Sequence, residues 1–339
     1  MRKVIILLGI IVGIVGVSMF GFSFMLKDGE TLAPGRLFVH TYVVAFLDYN
    51  LLLSPTLREF TRSFDQLGER EHFGIRYQTV NTIFQPESLR RAAEILGSEK
   101  IDLIVTGQAA VPYIREKMPQ VPVISILTAN TEAARLTTEQ PGNRTAFIDS
   151  SASLITGDRL LYALKLLPGL KTLLVLKAAK EGPLANPEAM KALRKVAAEN
   201  GVTLVEKQFS TREELNKFFL NYDFNSVDAI FRYPDSFITA NMDILLAMSR
   251  QPQVRKPLIV RNRTELELGG ILSYGRDVED YGAVAATMAY DILVKKISPS
   301  NAEAILAHDF KFGVNRSVAT SLGIEIPQTL LEQADHIIE

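Results

Sequence analysis

The sequence contains no cysteine. This absence excludes disulfides, thiolate catalysis, iron–sulfur clusters, Cys-type zinc sites and a lipid-modified N-terminal cysteine. An excess of charge of either sign is lacking too, because 37 Lys and Arg residues are matched by 38 Asp and Glu residues, for a formal net charge of -1. The chain therefore offers no broad basic surface and no acidic tail, and we expect no nucleic-acid partner.

Common enzyme motifs are missing as well. The histidines, His40, His72, His308 and His336, lack the spacing of metal ligands. The chain has no G-x-S-x-G, G-x-x-x-x-G-K-[ST] or G-x-G-x-x-G sequence. We therefore expect no catalysis, no metal and no cofactor. An enzyme on a two-lobed α/β scaffold stays an alternative, since a fold alone does not decide function.

One long apolar run stands at the N-terminus, where residues 4–26 carry no charge and follow Arg2 and Lys3. A helix of that length can cross about 30 Å of hydrocarbon. Because "GFSFMLKDGE" has no A-x-A-like cleavage pattern, residues 1–30 are interpreted as an uncleaved signal anchor in preference to a cleaved signal peptide. The basic flank places the N-terminus in the cytoplasm and the rest of the chain outside, in the periplasm or on the outer face of the cytoplasmic membrane.

A chain of 339 residues is long for a single core, so two domains are expected. In the first half, β-rich runs alternate with helical patterns, which is typical of a parallel sheet covered on both faces. The predicted strands there are 36–42, 74–80, 101–105 and 121–127, and the predicted helices are 54–67, 86–97 and 109–118.

The same alternation starts again after Asn143, with strands predicted at 171–176, 202–209, 227–233 and 257–262 and helices at 151–169, 186–201, 211–221 and 236–250. The repetition predicts two Rossmann-like lobes in tandem. The last part adds a strand, a turn and a long helix, followed by a tail that does not fit a simple tandem. If the chain crosses between lobes three times, lobe 1 comprises 36–145 plus 275–300 and lobe 2 comprises 146–274 plus 301–339.

Several segments carry a resemblance to a known family through their order and spacing. They are "IDLIVTGQAAV" (101–111), "VPVISILTAN" (121–130), "NRTAFID" (143–149), "LLPGLKTLLVL" (166–176), "VDAIFRYPDSF" (227–237), "GGILSYGRDVEDYGAVAATMAYDILVKK" (269–296) and "SLGIEIPQTLLEQADHIIE" (321–339). From about Arg36 onward the chain resembles the type I periplasmic solute-binding proteins of ABC transporters, in the branch that includes aromatic-amino-acid binders. The resemblance implies two parallel-sheet lobes joined by a multi-strand hinge.

The chain departs from the family pattern at Gly107-Gln108, 144–146, Arg232-Tyr233 and 261–263. All four departures fall at the predicted cleft. The resemblance therefore implies the fold but does not identify the solute.

In open parallel sheets, ligands bind beyond the carboxyl ends of the strands. In lobe 1 this edge is expected to carry Thr106, Gly107, Gln108, Thr128 and Asn130. Gly107 permits close backbone approach, and the helix after it offers free N–H groups to an anion, although an ordinary strand-to-helix turn is an alternative.

Tyr42, with Phe46 and Asp48, is expected to follow the first strand, either stacking on a ligand ring or packing within lobe 1. Tyr274 and Arg276 are assigned to the hinge or rim.

In lobe 2 the candidate ligand-binding residues are Tyr233, Asp235, Ser236, Arg261 and Asn262. Asp235 can pair with a ligand ammonium group or form a turn with the preceding proline. Arg232 and Arg261 interrupt apolar strands at their ends. Each therefore binds an acidic ligand group or forms an interlobe ion pair, since a guanidinium fork suits carboxylate and phosphate.

The sequence thus predicts an extracytoplasmic solute-binding protein of an ABC-type importer. It would close two lobes on a small carboxylate-bearing ligand, such as an amino acid, and would present the closed form to a permease. A ligand-sensing module held in the membrane beside a signalling protein is the alternative.

Overall fold

The computed structural model describes residues 24–25, 40–49, 53–83, 85–128, 144–149, 152–179, 187–302, 304–305 and 308–339. Most of the predicted membrane anchor, residues 4–26, lies outside these ranges. The exception is Phe24–Met25, which forms a short strand paired antiparallel with 79–80 and so differs from a helix that continues to residue 26. Within the described ranges, no helix is both long and apolar enough to cross a membrane.

The strands in chain order are β1 (Phe24–Met25), β2 (Thr41–Asp48), β3 (Gly74–Asn81), β4 (Leu103–Gly107), β5 (Val123–Thr128), β6 (Thr145–Asp149), β7 (Thr172–Ala178), β8 (Thr203–Phe209), β9 (Ala229–Arg232), β10 (Leu258–Val260), β11 (Leu272–Gly275), β12 (Ala304–Ile305), β13 (Lys311–Asn315) and β14 (His336–Ile338). The α-helices are α1 (Leu53–Glu71), α2 (Pro86–Gly97), α3 (Val111–Lys117), α4 (Ala152–Leu166), α5 (Pro187–Glu199), α6 (Arg212–Asn221), α7 (Ser236–Ala240), α8 (Met242–Ser249), α9 (Arg263–Glu267), α10 (Val278–Leu293), α11 (Arg316–Leu322) and α12 (Gln328–Gln333). Single 3₁₀ turns occur at Gln108–Ala110, Phe224–Ser226 and Pro299–Asn301.

The first sheet has the strand order β1-β3-β2-β4-β5-β6-β12 within the described residues. Strands β2 to β6 and β12 are parallel. Helix α1 buries Leu53, Leu57, Phe60 and Phe64, which share one helical face by their spacing, and the ring of Phe60 meets that of Phe46 at 5.4 Å. Apolar periodicity in the sequence therefore places α1 against β2.

The second sheet repeats this plan, with the order β14-β13-β11-β10-β9-β7-β8 in the part of the chain that is described. The run β8-β7-β9-β10-β11 is parallel and matches β3-β2-β4-β5-β6 strand for strand. Strand β13 then pairs antiparallel with β11. The predicted α/β class with two parallel-sheet lobes is confirmed.

Sheet and core membership show where the chain passes between the two lobes. Strand β6 belongs to the first sheet and runs to residue 149, beyond the expected boundary at 145. Helix α10 follows a strand of the second sheet but packs in the core of the first lobe. Strand β12 pairs with β6 although it falls in the segment 301–339 expected in lobe 2. The chain thus passes between lobes after β6, β11 and β12, while the exact lobe limits stay a prediction.

Two predicted elements differ from the structure. Residues 36–39 of the predicted first strand lie outside the described residues, and the strand that the structure describes is 41–48, because these residues pair along their whole length with β3. The helix predicted at 236–250 is divided at Asn241, whose backbone angles (φ -110°, ψ 22°) leave the helical region. The Asn241 side chain donates to the Phe237 carbonyl at 2.8 Å, an example of local side-chain bonding that competes with helix continuation.

Candidate functional site

The two sheets each have one point where the strand order reverses, and this is where ligands bind in open α/β sheets. The reversal lies between the carboxyl ends of β2 and β4 in the first lobe and of β7 and β9 in the second.

At the first reversal point, Tyr49 fills the space beside the end of β4. Its hydroxyl oxygen accepts a hydrogen bond from the Ala109 backbone N–H at 3.3 Å. A Cβ added to Gly107 would overlap this hydroxyl, so glycine is what allows Tyr49 to approach. Burial raises the pKa of Tyr49, which keeps the phenol neutral. The sequence did not single out Tyr49, although it directly follows the true end of the strand.

The remaining lobe 1 candidates bond within their own lobe or lie outside the described residues. Thr106 is buried and donates to the Leu47 carbonyl at 2.8 Å. Thr128 donates to the Ser125 carbonyl at 3.2 Å, at an irregularity in the pairing of β5 and β6. Gln108 is buried and begins a 3₁₀ turn. Asn130 is not among the described residues.

Tyr42 does not lie at the cleft. It stands near the amino end of β2, at the opposite edge of the sheet, with ring contacts to His40 and Phe73. This position agrees with the alternative of packing within lobe 1, because the first strand continues beyond residue 42 to Asp48. Phe46 and Asp48 likewise belong to β2, where Phe46 packs in the lobe 1 core.

Asp235 connects the second reversal point to helix α7. Its carboxylate accepts from the Ile238 N–H at 2.6 Å and from the Ala178 N–H at 2.8 Å, which ties the end of β7 to the start of α7. Burial raises its pKa to about 6 in spite of these bonds. The turn interpretation therefore accounts for Asp235. Tyr233 is buried just before it, and Ser236 is the first residue of α7.

Arginines follow three adjacent parallel strands of the second sheet. Arg232 ends β9, Arg261 comes directly after β10, and Arg276 directly after β11. Arg159 of α4 joins them: its Nε donates to the Tyr274 carbonyl at 3.1 Å and its Nη1 to the Arg232 carbonyl at 3.5 Å. We call these four residues the arginine cluster.

One buried carboxylate, Glu265, lies within the arginine cluster. Its Oε1 lies 3.2 Å from Arg232 Nε, with both side chains fully buried, and its Oε2 accepts from the Arg261 backbone N–H at 2.8 Å. Arg232 also donates to Thr239 Oγ1 at 2.6 Å. Glu265 therefore pairs with the charge of one arginine and fixes the backbone of another.

The guanidinium groups of Arg159 and Arg261 have no ion pair with any described residue. Arg159 is fully buried and Arg261 is 9% exposed. Burial lowers the pKa of Arg159 well below its ordinary value; the positive charges of Arg261 and Arg232 lower it further, and the carboxylate of Glu265 opposes them. Arg159 was missed by sequence reasoning, although it falls on the same helical face as the apolar Ile155 and Ala163.

A small cavity lies beside this cluster, between the second sheet and the start of α10. Its lining residues are Ile155, Thr239, Arg261, Asn262, Gly275, Arg276, Val278 and Tyr281. Because Tyr281 belongs to the lobe 1 core, the cavity lies between the lobes. Its volume is about 10 Å³, roughly the room for one water molecule.

The cavity lining contains two guanidinium groups and, among the described residues, no carboxylate. Asn262 caps α9, because its Oδ1 accepts from the Glu265 N–H at 3.0 Å. A Cβ on Gly275 would collide with the Arg261 carbonyl oxygen, so glycine is required for this close approach. The arrangement suits an anion. Within the described ranges, no group of three His, Asp or Glu side chains is placed to hold a metal ion.

Comparison with known proteins gives one family. Residues 60–338 match the model described as ABC transporter substrate binding protein. The comparison with curated protein sequences gives no match.

Solved structures similar to this chain share its fold. An ABC domain from Streptococcus pneumoniae in complex with L-Trp is 19% identical, with a TM-score of 0.71, covering 87% of this chain and 100% of that one. A ligand-free, open substrate-binding protein with adhesive properties from Clostridium difficile is 22% identical, with a TM-score of 0.58 and coverages of 88% and 99%. A solute-binding protein from Agrobacterium vitis bound with alpha-D-tagatopyranose is 12% identical, with a TM-score of 0.55 and coverages of 86% and 99%.

Proposed function

Because the chain belongs to the family of ABC transporter substrate-binding proteins, we propose that it serves an ABC-type importer and closes two lobes on a small carboxylate-bearing solute. The observation that supports this solute class is the interlobe cavity, which is lined by the guanidinium groups of Arg261 and Arg276. Guanidinium groups bind carboxylates through paired hydrogen bonds.

Closure on the solute follows from where the cavity residues are anchored. Arg261 is attached to the second sheet, whereas Tyr281 is packed into the core of the first lobe. A solute at this place contacts both lobes only when they are closed, so its binding stabilises the closed form. The closed form is then what the permease recognises. The solute leaves chemically unchanged.

The protein acts outside the cytoplasm in this proposal. The uncharged N-terminal run that precedes β1 holds it at the membrane, and the body from about Arg36 lies in the periplasm or on the outer face of the cytoplasmic membrane. The solute is an amino acid or a similar small acid, in keeping with the resemblance to aromatic-amino-acid binders. L-Trp and tagatopyranose are the ligands of the structurally similar proteins themselves.

The test is a thermal-shift screen of the full chain against amino acids, peptides, carboxylates, nucleosides and sugars. A solute at 100 times its Kd adds about 2.7 kcal/mol to the unfolding free energy, which moves the melting temperature measurably. Small-angle scattering should then show a smaller radius of gyration with the same solute. Binding without any closure, or chemical turnover of the bound compound, would contradict the proposal.

A further inference from the structure

We infer that the solute is an acid with two negative charges and no ammonium group, and that the arginine cluster holds its acidic head. The inference rests on the proposed function, since it specifies what the interlobe cavity receives.

Two of the four arginines in the cluster lack an ion-pair partner among the described carboxylates. Arg232 is paired with Glu265, and Arg276 lies 3.1 Å from a carboxylate oxygen of Asp280 and 3.5 Å from one of the exposed Asp309. Arg159 and Arg261 have no carboxylate partner within the described residues. Buried charges are normally paired, because removing an ion from water is unfavourable. Two buried guanidinium groups without an ion-pair partner therefore match a ligand with two negative charges.

Unsatisfied donors point to the same ligand. Arg159 Nη2, Arg261 Nε and Arg276 Nε are buried without a hydrogen-bond acceptor in the described part of the chain. Such buried orphan groups are rare in proteins and call for a specific explanation. An oxyanion is a natural acceptor for several guanidinium N–H groups at once, because each of its oxygens accepts more than one hydrogen bond.

An ammonium group finds no counterpart among the described residues. The described carboxylates around the arginine cluster already serve other groups: Asp235 accepts from two backbone N–H groups, Glu265 is held by Arg232, Asp280 by Arg276, and Asp277 by His336 at 3.0 Å. Asp149 at the end of β6 is close enough to Tyr281 to raise its pKa, but it does not line the cavity. A zwitterionic amino acid would therefore bring a cation to a cationic site.

The size of the cavity sets how the acid is oriented. A volume of about 10 Å³ admits one oxygen-sized group in this arrangement of the lobes. The acidic head is the part that enters, and the lobes have to separate to admit the rest of the solute. A short dicarboxylate and a phosphate ester share this chemistry.

The experiment measures affinity by calorimetry on the full chain, with succinate, inorganic phosphate, propionate, L-tryptophan and D-ribose as probes at one ionic strength. We expect succinate or phosphate to bind at least tenfold more tightly than propionate. Comparing succinate with phosphate distinguishes a dicarboxylate from a phosphate ester. L-tryptophan and D-ribose should give no heat of binding.

Variants connect the binding to the cluster. Arg261→Met should weaken the dianion at least tenfold. Arg261→Lys, which keeps the charge and loses the fork, should weaken it less. The matched control is Arg194→Met, which removes an arginine that is 58% exposed and paired with Glu206 elsewhere in the second lobe; its affinity should equal that of the unmodified protein. Circular dichroism checks that each variant is folded.

The outcomes separate this inference from the proposed function. Closure on L-tryptophan or D-ribose would overturn the dianion and leave the solute-binding function standing. Dianion binding that Arg261→Met leaves unchanged would indicate an adventitious ion only, and would overturn the inference as well. If no probe binds and no compound of the wider screen closes the lobes, both proposals fail.

Discussion

Two arginines of the same cluster should respond in opposite ways when their charge is removed. Methionine is a suitable replacement because it keeps an unbranched stem and removes both the charge and the donors. Arg232→Met leaves Glu265 fully buried without its ion-pair partner at 3.2 Å. Breaking a buried pair from one side costs about 3–5 kcal/mol. Arg261 has no carboxylate partner among the described residues, and its charge acts against those of Arg159 and Arg232.

Arg261→Met should therefore leave the unfolding free energy of the ligand-free protein unchanged or raise it. For domains of this size, 1 kcal/mol moves the melting temperature by roughly 2–4 °C, so Arg232→Met should lower it by about 6–20 °C. The assay is thermal unfolding of the full chain, followed by circular dichroism in a buffer without multivalent anions. Glu265→Gln combined with Arg232→Met should recover part of the loss, because the orphan charge is then gone. If Arg261→Met is as destabilising as Arg232→Met, Arg261 is a structural residue and the reasoning is refuted.

Three further predictions concern residues around the site and the fold. The pKa of Asp235 is raised to about 6 in the folded protein. Its contribution to the unfolding free energy is therefore complete below the ordinary pKa of 3.8 and is lost as the pH rises through 6. Urea titrations at a series of pH values should show this loss, and Asp235→Ala should abolish it. Gly282→Val should lower the unfolding free energy by about 1–3 kcal/mol, because a side chain at this position of α10 would collide with the Thr56 carbonyl oxygen. A melting temperature equal to that of the unmodified protein would contradict this. Thr211→Ala should cost about 1 kcal/mol by removing the capping box formed with Glu214, whereas Thr211→Ser should cost little in the same denaturation assay.

The sequence predicted most accurately those helices and strands whose ends are marked by start and stop residues of their own. Helix α2 has the predicted limits 86–97, because Pro86 starts it and the chain leaves the helix after Gly97. The buried parallel strands were recognisable as apolar runs, and the family resemblance is confirmed by the match over residues 60–338. Strand β2 was misplaced because residues 36–42 and 41–48 are both rich in strand formers, and only pairing with β3 selects the second set.

The site was predictable in residue type and only partly in geometry. Arg232 and Arg261 could be recognised from the sequence alone, because each is a charged residue at the end of an apolar run. Arg159 did not stand out, since its burial depends on how α4 is turned against the second sheet. The role of Asp235 depended on Ala178, which is 57 residues away in the chain and next to it only in the folded sheet.

The position of α10 has a consequence for the order in which the molecule is completed. Its residues Tyr281, Ala285 and Ala289 belong to the core of the first lobe, yet they follow all five parallel strands of the second sheet in the chain. Because the chain is synthesised from its N-terminus, the first lobe keeps an uncovered apolar face until about residue 293 has been added. A product that stops near residue 275 would hold strands β2 to β6 and β7 to β11 and still expose that face, as aggregation-prone intermediates do. The first lobe therefore stays a target for chaperones until α10 has been synthesised, although its strands β2 to β6 end at residue 149.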